Sequence, residues 1–228
     1  MRINKISVYG LGYIGLPTAT VLAAAGKKVV GIDIKKEVVD SVNQGKVHIV
    51  EPGLEELVKS SVLSKNLTAS VSPTPSDVHI IAVPTPFKNN DSSIPVPDIS
   101  YIEAAACSIS NILKKGDLVI LESTSPVGTT ERIAQLMSSN RKDLSFPNTS
   151  ECPDINVAYC PERVLPGKIL KELINNDRVI GGLSKKCSEK AKDLYDIFIN
   201  GECVITNART AEMTKLTENS CRDVQIAF

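Results

Sequence analysis

The segment Lys5–Ile34, KISVYGLGYIGLPTATVLAAAGKKVVGIDI, decides the fold class of this chain. The run KISVYG is typical of a buried strand. It is followed by an apolar helical pattern ending at Gly26 and by a second strand pattern, KVVGIDI. Gly10, Gly12 and Gly15 form a G-x-G-x-x-G pattern where the first strand meets the helix. A strand–helix–strand unit with this turn is typical of a dinucleotide-binding α/β domain.

The three glycines have different expected roles. Gly10 permits a tight turn, Gly12 lets the backbone approach a pyrophosphate at the helix N-terminus, and Gly15 lets helix and strand pack closely. Asp33, 18 residues after Gly15, can accept hydrogen bonds from a ribose 2′-hydroxyl and would repel a 2′-phosphate. We therefore expect NAD rather than NADP, a preference that the two following lysines weaken. The alternative is a glycine-rich turn in an α/β domain that binds no cofactor.

The alternation of strand and helix patterns continues along the chain. Short, continuously apolar runs alternate with helical patterns, which favours an α/β fold with a doubly wound, mostly parallel sheet covered on both faces. We expect a Rossmann-like domain over residues 1–207 and a final helix within 208–228. One predicted helix runs from an N-cap at Asp98 to a stop at Gly116, and residues 140–154 are expected to form a loop.

Composition argues against several classes of function. The chain has 26 Lys and Arg residues and 26 Asp and Glu residues. It therefore lacks the excess of basic residues that is typical of nucleic-acid-binding proteins. No apolar stretch is long enough to span a bilayer and no signal-peptide pattern is present, which predicts a cytoplasmic protein. The six cysteines form no CxxC pair and there are only two histidines, so no metal site is expected. We expect reduced thiols that pack as small hydrophobic groups.

Threonines follow two further strand patterns. Thr85 lies in AVPTP, and Thr124 and Thr130 lie in ESTSPVGTT. Ligands of a doubly wound sheet bind at the carboxyl ends of its strands, so Thr85 and Thr124 are expected beside the glycine turn. Their hydroxyls could hold ribose, nicotinamide or water. The alternative is turn chemistry, because Thr-Pro is a common way to leave a strand.

A carboxylate and a polar helix face form the third motif. Glu162 in AYCPERVLPG directly follows a strand and a proline, so it could bind a sugar hydroxyl or direct a water. The alternative is a solvated residue or an ion pair with Arg163. In the last helix Lys215, Asn219 and Arg222 share one face, which could stabilise an oxyanion and bind a phosphate. The alternative there is an ordinary solvated face.

Six stretches together resemble one known family. They are GLGYIGLP, AVPTPF, ESTSPVGTT, AYCPERVLPG, NDRVIGG and TAEMTKLTENSCRDVQIAF. In order along the whole chain, they resemble the UDP-glucose/GDP-mannose dehydrogenase family. The resemblance covers the first half of such an enzyme, which continues through a long central helix into a second domain. It implies that 208–228 begins that helix, that the chain is truncated and inactive alone, and that the full-length enzyme is a homodimer formed through the helix.

The resemblance also implies an activity and its residues. The family oxidises a UDP-sugar at C6 to the uronate with two NAD+, through an aldehyde and a cysteine-linked thioester, for cell-surface polysaccharide precursors. The implied catalytic residues are Lys215, Asn219, Glu162 and Thr124. The implied cofactor-binding residues are Gly10, Gly12, Tyr13, Ile14, Gly15, Asp33, Thr85, Thr124 and Thr130. The implied substrate-binding residues are Glu162, Arg163, Val164, Lys215, Asn219 and Arg222.

One departure from the family pattern narrows the substrate. The UDP-glucose branch has a second glutamate four residues after the first, where this chain has Pro166. This favours the branch that acts on UDP-N-acetyl-D-mannosamine. The glycine-rich motif with the family's catalytic cysteine does not occur in this sequence, and Cys221 is expected to serve packing. Two alternatives stay open: another UDP-sugar 6-dehydrogenase, or a non-catalytic NAD-binding module that ends at Phe228.

Overall fold

A single mixed sheet forms the centre of the molecule. The computed structural model describes residues 3–88, 94–147, 149–150 and 152–228. Within these ranges the strands are β1 (Lys5–Tyr9), β2 (Lys28–Ile32), β3 (Leu67–Ser70), β4 (Val78–Ile81), β5 (Leu118–Leu121), β6 (Asn156–Tyr159), β7 (Arg178–Gly182) and β8 (Cys203–Asn207).

The helices connect these strands and close the chain. Within the described ranges they are α1 (Gly15–Ala24), α2 (Lys36–Asn43), α3 (Leu54–Leu63), α4 (Ser100–Ser110), α5 (Thr129–Asn140), α6 (Ile169–Asn175), α7 (Lys185–Tyr195) and α8 (Ala208–Ala227). The predicted strand–helix–strand unit is present as β1, α1 and β2, which confirms the fold class. The start of α8 coincides with the predicted boundary after residue 207, while the division into domains stays a prediction.

The strand order creates a crevice beside β1. The sheet runs β3-β2-β1-β4-β5-β6-β7-β8. Neighbouring strands pair in parallel except β6 and β7, which are antiparallel. Because β1 lies between β2 and β4, the strand order reverses there, and ligands of such sheets bind at the carboxyl ends of the strands near that point. The loops after β1, β4, β5 and β6 all leave from this edge.

Both faces of the sheet are buried along the central strands, whereas the edge strand β8 is partly exposed. In β5, Leu118 and Ile120 belong to a core with residues of α1, α3 and α7. Val119 and Leu121 belong to a second core with residues of α4 and α5. Since alternate residues face opposite cores, both kinds of position must be apolar. This is why the strands appear in the sequence as continuous apolar runs.

Both ends of one predicted helix need correction, and two features were not predicted. The helix predicted up to Gly116 ends at Ser110. One reason is that Nη1 of Arg141 donates hydrogen bonds to the carbonyls of Ser110 and Leu113, each at 2.8 Å. Helix α6 and the antiparallel pairing of β7 were not predicted, because a helix of seven residues shows too little periodicity. The N-cap of α4 is Ile99, so the predicted N-cap at Asp98 is one residue too early, although the Asp98 carboxylate accepts from the amide of Ser100 at 3.0 Å.

The cysteines differ in how far they are buried. Cys160 and Cys187 are buried as predicted. Cys152 and Cys221 are exposed, so the packing prediction is wrong for both. For Cys221 the reason is that residues 220–228, at the end of the chain, are all exposed.

The predicted loop over residues 140–154 contains no helix or strand after Asn140 among the described residues, and positions 148 and 151 lie outside them. No described helix combines the length and hydropathy required to cross a membrane.

Candidate active site

The glycine turn after β1 is fixed by two close approaches of backbone. Gly10 has φ +89°, and a Cβ there would lie 2.6 Å from the carbonyl oxygen of Ala82. A Cβ at Gly15 would lie 1.8 Å from the carbonyl oxygen of Gly10. Real Cβ atoms do not come so near to backbone, so only glycine fits either position. These two glycines therefore shape the turn itself.

Gly12 differs from its two neighbours in the motif. A Cβ added there would meet nothing within 4 Å, so open space lies in front of the turn that leads into α1. The neighbouring Tyr13 is half exposed. The N-terminus of a helix carries partial positive charge and free amides, which suits an anion. The space beside Gly12 has the chemistry expected for a pyrophosphate.

Asp33 lies where the sequence predicted it, beside this turn. Its Oδ2 accepts a hydrogen bond from the amide of Leu11 at 2.9 Å, and its Oδ1 accepts from the amide of Lys35 at 2.9 Å. Each carboxylate oxygen can accept a further bond. The carboxylate therefore supports the turn and keeps acceptor capacity for a hydroxyl.

Thr85 and Thr124 come together as expected from the sheet order. The hydroxyl of Thr85 donates to the carbonyl oxygen of Thr124 at 2.8 Å, which ties the loop after β4 to the loop after β5. Both residues are partly exposed. Their position supports a ligand contact, which stays a prediction.

Thr130 has a different environment from the other two threonines. It is fully buried, and its hydroxyl donates to Oε1 of Glu212 at 2.7 Å. Glu212 also accepts from the amides of Thr130 and Gly128, at 2.8 and 2.6 Å. The predicted cofactor contact of Thr130 stays a prediction. The three bonds fix α8 to the N-terminus of α5.

Glu162 lies at the start of the loop that follows β6. Only 7% of its surface is exposed, and its Oε1 has no hydrogen-bond partner among the described residues. The ammonium of Lys215 donates to the Glu162 carbonyl oxygen at 2.5 Å. A buried polar atom without a partner calls for an explanation, and a ligand or water at Oε1 would supply one. The alternative of an ion pair between Glu162 and Arg163 is wrong, because Arg163 pairs with Glu218 at 2.9 Å.

Burial shifts the pKa values of the Glu162 carboxyl group and the Lys215 ammonium group towards neutral pH. It raises the pKa of Glu162 to about 7, although the charges of Lys215 and Arg178 oppose the rise. It lowers the pKa of Lys215 from its usual value, against the opposing effect of Glu162. A carboxyl group that titrates near neutral pH can both give and accept a proton at working pH.

The Glu162 carboxyl group should make stability depend on pH. Because its folded pKa is raised from 4.5 to about 7, its stabilising contribution is present below about pH 4.5 and is lost as pH rises through 7. At ~1.4 kcal/mol per pKa unit, the loss is about 3 kcal/mol. Urea unfolding of the wild type and of Glu162→Gln at pH 4.5, 6 and 8 measures it. We expect the variant to lose this pH dependence, and parallel curves would contradict the assignment.

The polar face of α8 borders a cavity of about 630 Å³. Lys215, Asn219 and Arg222 line it together, which confirms that the three share one face; Lys215 and Asn219 are partly buried and Arg222 is exposed. The remaining lining residues are Arg163, Val164, Leu165, Glu172, Asn175, Asn176, Asp177, Glu218, Cys221 and Gln225. The cavity is therefore rich in amide and charged groups, which suits a polar ligand with hydroxyls and phosphates.

Sequence reasoning missed three buried charged residues near the site. Glu212, Glu122 and Arg178 are each at most 2% exposed. Glu122 directly follows β5, and Arg178 is the first residue of β7. A charged residue next to a short apolar run was therefore the sequence signal that could have identified both. Glu212 gave no such signal, because its partners are about 80 residues away along the chain.

Comparison with known proteins relates this arrangement to named relatives. A protein from Ralstonia nicotianae named NDP-N-acetyl-D-galactosaminuronic acid dehydrogenase is 58% identical over 99% of this chain and 52% of its own length. UDP-N-acetyl-D-mannosamine dehydrogenase from Escherichia coli is 57% identical over 100% of this chain and 54% of its own length. The chain thus spans about half the length of the curated relatives it matches.

Solved structures show the same relation. UDP-N-acetyl-mannosamine dehydrogenase from Staphylococcus aureus superimposes with a TM-score of 0.89 at 45% identity, covering 98% of this chain and 52% of that one. Residues 4–199 match the NAD binding domain of the UDP-glucose/GDP-mannose dehydrogenase family. With this match over most of its length, the chain belongs to the UDP-glucose/GDP-mannose dehydrogenase family.

Proposed function

We propose that this chain is the cofactor-binding half of an enzyme that oxidises UDP-N-acetyl-D-mannosamine at C6 to the uronate with NAD. The single observation that carries the proposal is the contact between the Lys215 ammonium and the Glu162 loop, beside the cavity lined by Asn219. Relatives named for this substrate support the choice of sugar. The full activity belongs to the longer protein that such relatives represent.

The residues around the glycine turn fit NAD. The open space at Gly12 would receive the pyrophosphate, and Asp33 would accept from the adenosine ribose. Thr85 and Thr124 would lie beside the nicotinamide end. When bound, NAD+ supplies the acceptor for hydride. Every polar contact named here comes from the carboxyl edge of the sheet, where such ligands bind.

The chain's own catalytic contribution is electrostatic and proton-handling. The ammonium of Lys215 and the amide of Asn219 can donate hydrogen bonds to an oxyanion at C6, in a partly buried site where such bonds are strong. The Glu162 carboxyl group, with a pKa of about 7, can hold a water or hydroxyl and take its proton. Arg222 adds positive charge for a phosphate at the far end of the cavity.

The proposal includes a homodimer and a cytoplasmic location. Large apolar side chains of α8 and of the residue after it are more than half exposed, namely Met213, Val224, Ile226 and Phe228. Exposed apolar surface of this kind favours burial against another surface. In the longer protein, α8 would pack on the second domain and on a partner subunit.

The cofactor preference can be measured on this chain. We expect Asp33→Ala to lower the ratio of NAD to NADP affinity by about tenfold, because the variant loses both the ribose acceptor and the charge that repels a 2′-phosphate. Calorimetric titration with both cofactors gives the ratio. Using a ratio cancels any loosening of the turn that affects both cofactors equally. An unchanged ratio would remove Asp33 from the NAD site.

The substrate assignment needs the longer protein. Reading the source gene beyond the codon for Phe228 shows whether the frame continues into a glycine-rich motif with a cysteine. The enzyme expressed from that frame should reduce NAD with UDP-N-acetyl-D-mannosamine and much less with the glucosamine or galactosamine epimers. The relative named for N-acetylgalactosaminuronic acid makes the last comparison necessary. Preference for another epimer would correct the sugar, and a stop codon would favour an NAD-binding module.

A further inference from the structure

The loop over residues 161–168 contains the Glu162 motif and has no helix or strand. Side chains from elsewhere in the fold hold its backbone at short intervals instead. The held groups and their partners are the Pro161 carbonyl with Arg178, the Glu162 carbonyl with Lys215, the Arg163 carbonyl with Asn176, the Leu165 amide with Glu172, and the Gly167 amide with Glu51. The loop is therefore held by side chains of the surrounding helices, strands and loops.

Arg178 is the most deeply buried of these partners. It begins β7, and continuing the antiparallel register of Tyr159 with Gly181 places it opposite Glu162. Its Nη1 donates to the Pro161 carbonyl at 3.2 Å, and its Nη2 lies 3.5 Å from the Leu173 carbonyl in α6. One guanidinium thus joins the residue before Glu162 to the helix that follows the loop.

The surroundings of Arg178 are built for a charge. The guanidinium lies 5.6 Å from the centre of the Tyr195 ring and 3.9 Å from Oε1 of Glu122. Glu122 in turn accepts from the hydroxyls of Thr18 and Tyr195, at 3.2 and 3.3 Å. Burying an ion pair is costly in free energy and contributes little net stability. The Arg178–Glu122 pair lies beside the Glu162 loop of the candidate active site, which indicates a role in that site rather than in stability.

Three charged groups influence Glu162 from the elements packed around it. Lys215 comes from α8, Arg178 from β7, and Glu122 from the end of β5. The two cations favour the ionised carboxylate, whereas Glu122 and burial disfavour it. Lys215 lines the cavity, while the side chain of Arg178 is only 1% exposed and does not line it. Arg178 can therefore act on Glu162 without touching a substrate.

We propose that Arg178 is a positioning residue that fixes the Pro161–Glu162 backbone and sets the charge environment of the Glu162 carboxyl group. The catalytic use of this placement rests on the function proposed above. The placement itself is a property of this chain and can be measured without NAD or sugar. A failure of the proposed dehydrogenase activity would therefore leave the test of Arg178 intact, and the reverse also holds.

The experiment is a ¹³C NMR titration of glutamate-labelled chain, with the Glu162 signal assigned by its loss in Glu162→Gln. Arg178→Met alone leaves Glu122 buried without its counter-charge, so the double variant R178M/E122Q is made beside it. We expect the pKa of Glu162 to rise in Arg178→Met, which loses a charge that lowers it, and to rise less in R178M/E122Q, which also loses a charge that raises it. We also expect the Leu165 amide to exchange with solvent at least about tenfold faster.

Two further variants separate positioning from general stability. Arg178→Lys keeps the charge but lacks the fork that reaches two carbonyls, so the pKa should return towards the wild-type value while exchange stays fast. Arg141→Met removes another arginine that binds two carbonyls, far from this loop. It should change neither the Glu162 pKa nor Leu165 exchange relative to the rest of the chain. An unchanged Glu162 pKa in Arg178→Met, unchanged Leu165 exchange in R178M/E122Q, or equal effects in R141M would overturn the proposal.

Discussion

Gly12→Ala is expected to leave the stability of the folded chain within about 0.5 kcal/mol of wild type and to weaken NAD binding by roughly 30-fold or more. The added Cβ meets no protein atom within 4 Å, so folding costs nothing extra in contacts. The methyl group would occupy the space that we assign to the pyrophosphate. Urea unfolding and calorimetric titration with NAD give the two quantities on the same preparation.

Gly15→Ala is the matched variant, in which we expect large loss of stability. Its Cβ would lie 1.8 Å from the Gly10 carbonyl oxygen, an atom that no side-chain rotation can move. The turn and the start of α1 would have to separate, at a cost of about 3 kcal/mol or more. NAD binding would then be lost together with the folded turn.

The pair distinguishes a role in folding from a role in binding. Normal NAD affinity in Gly12→Ala would show that the pyrophosphate does not lie beside this glycine, and the cofactor assignment of the turn would fail. A stable Gly15→Ala chain would show that α1 and β1 leave room for a side chain at Gly15, against the close approach of the Gly10 carbonyl. Either result can be obtained without the remainder of the longer enzyme.

Glu212→Gln is expected to lower the free energy of unfolding by about 3 kcal/mol. The fully buried carboxylate accepts three hydrogen bonds at the N-terminus of α5, from two amides and the Thr130 hydroxyl. An amide side chain of the same shape would direct its NH2 group at one of these donors. It would also lose the attraction between a negative charge and the helix N-terminus.

The control for Glu212 is at the same end of α5. Glu131 pairs with Arg209 through bonds of 2.8 Å, but both side chains are largely exposed. Glu131→Gln should therefore cause a much smaller loss, since water screens and replaces that pair. Urea unfolding of both variants, with the denaturant slope unchanged, measures the difference. Equal losses would mean that α8 is not fixed to α5 in solution.

Glu212 also connects stability to the candidate site. It lies three residues before Lys215 on the same helix, so fixing its carboxylate fixes the start of the α8 face that reaches the Glu162 loop. A helix can place its side chains accurately in a site only if the helix itself is held firmly in the fold. The same three bonds connect the Thr124–Thr130 loop, on the expected cofactor side, with the helix on the expected substrate side.

The sequence alone was sufficient for the fold class and for the elements that carry the motifs. Strands buried on both faces need apolar residues at every position, and G-x-G-x-x-G before a helix restricts the backbone to one kind of turn. Asp33, Thr85 and Thr124 could be assigned to one edge because strand ends of a parallel sheet meet there. The polar face of α8 followed from helical spacing.

Only the tertiary structure decided which charges lie buried behind that edge. Arg178 and Glu122 come from strands far apart in the chain, and the antiparallel pairing of β7 with β6, which brings Arg178 to the Pro161 carbonyl, has no local signature. The end of α4 depends on Arg141, and the use of Thr130 depends on Glu212. The local sequence pattern indicates which backbone conformation a segment of a few residues prefers. Long-range hydrogen bonds and burial determine where each charge lies and which proton it holds.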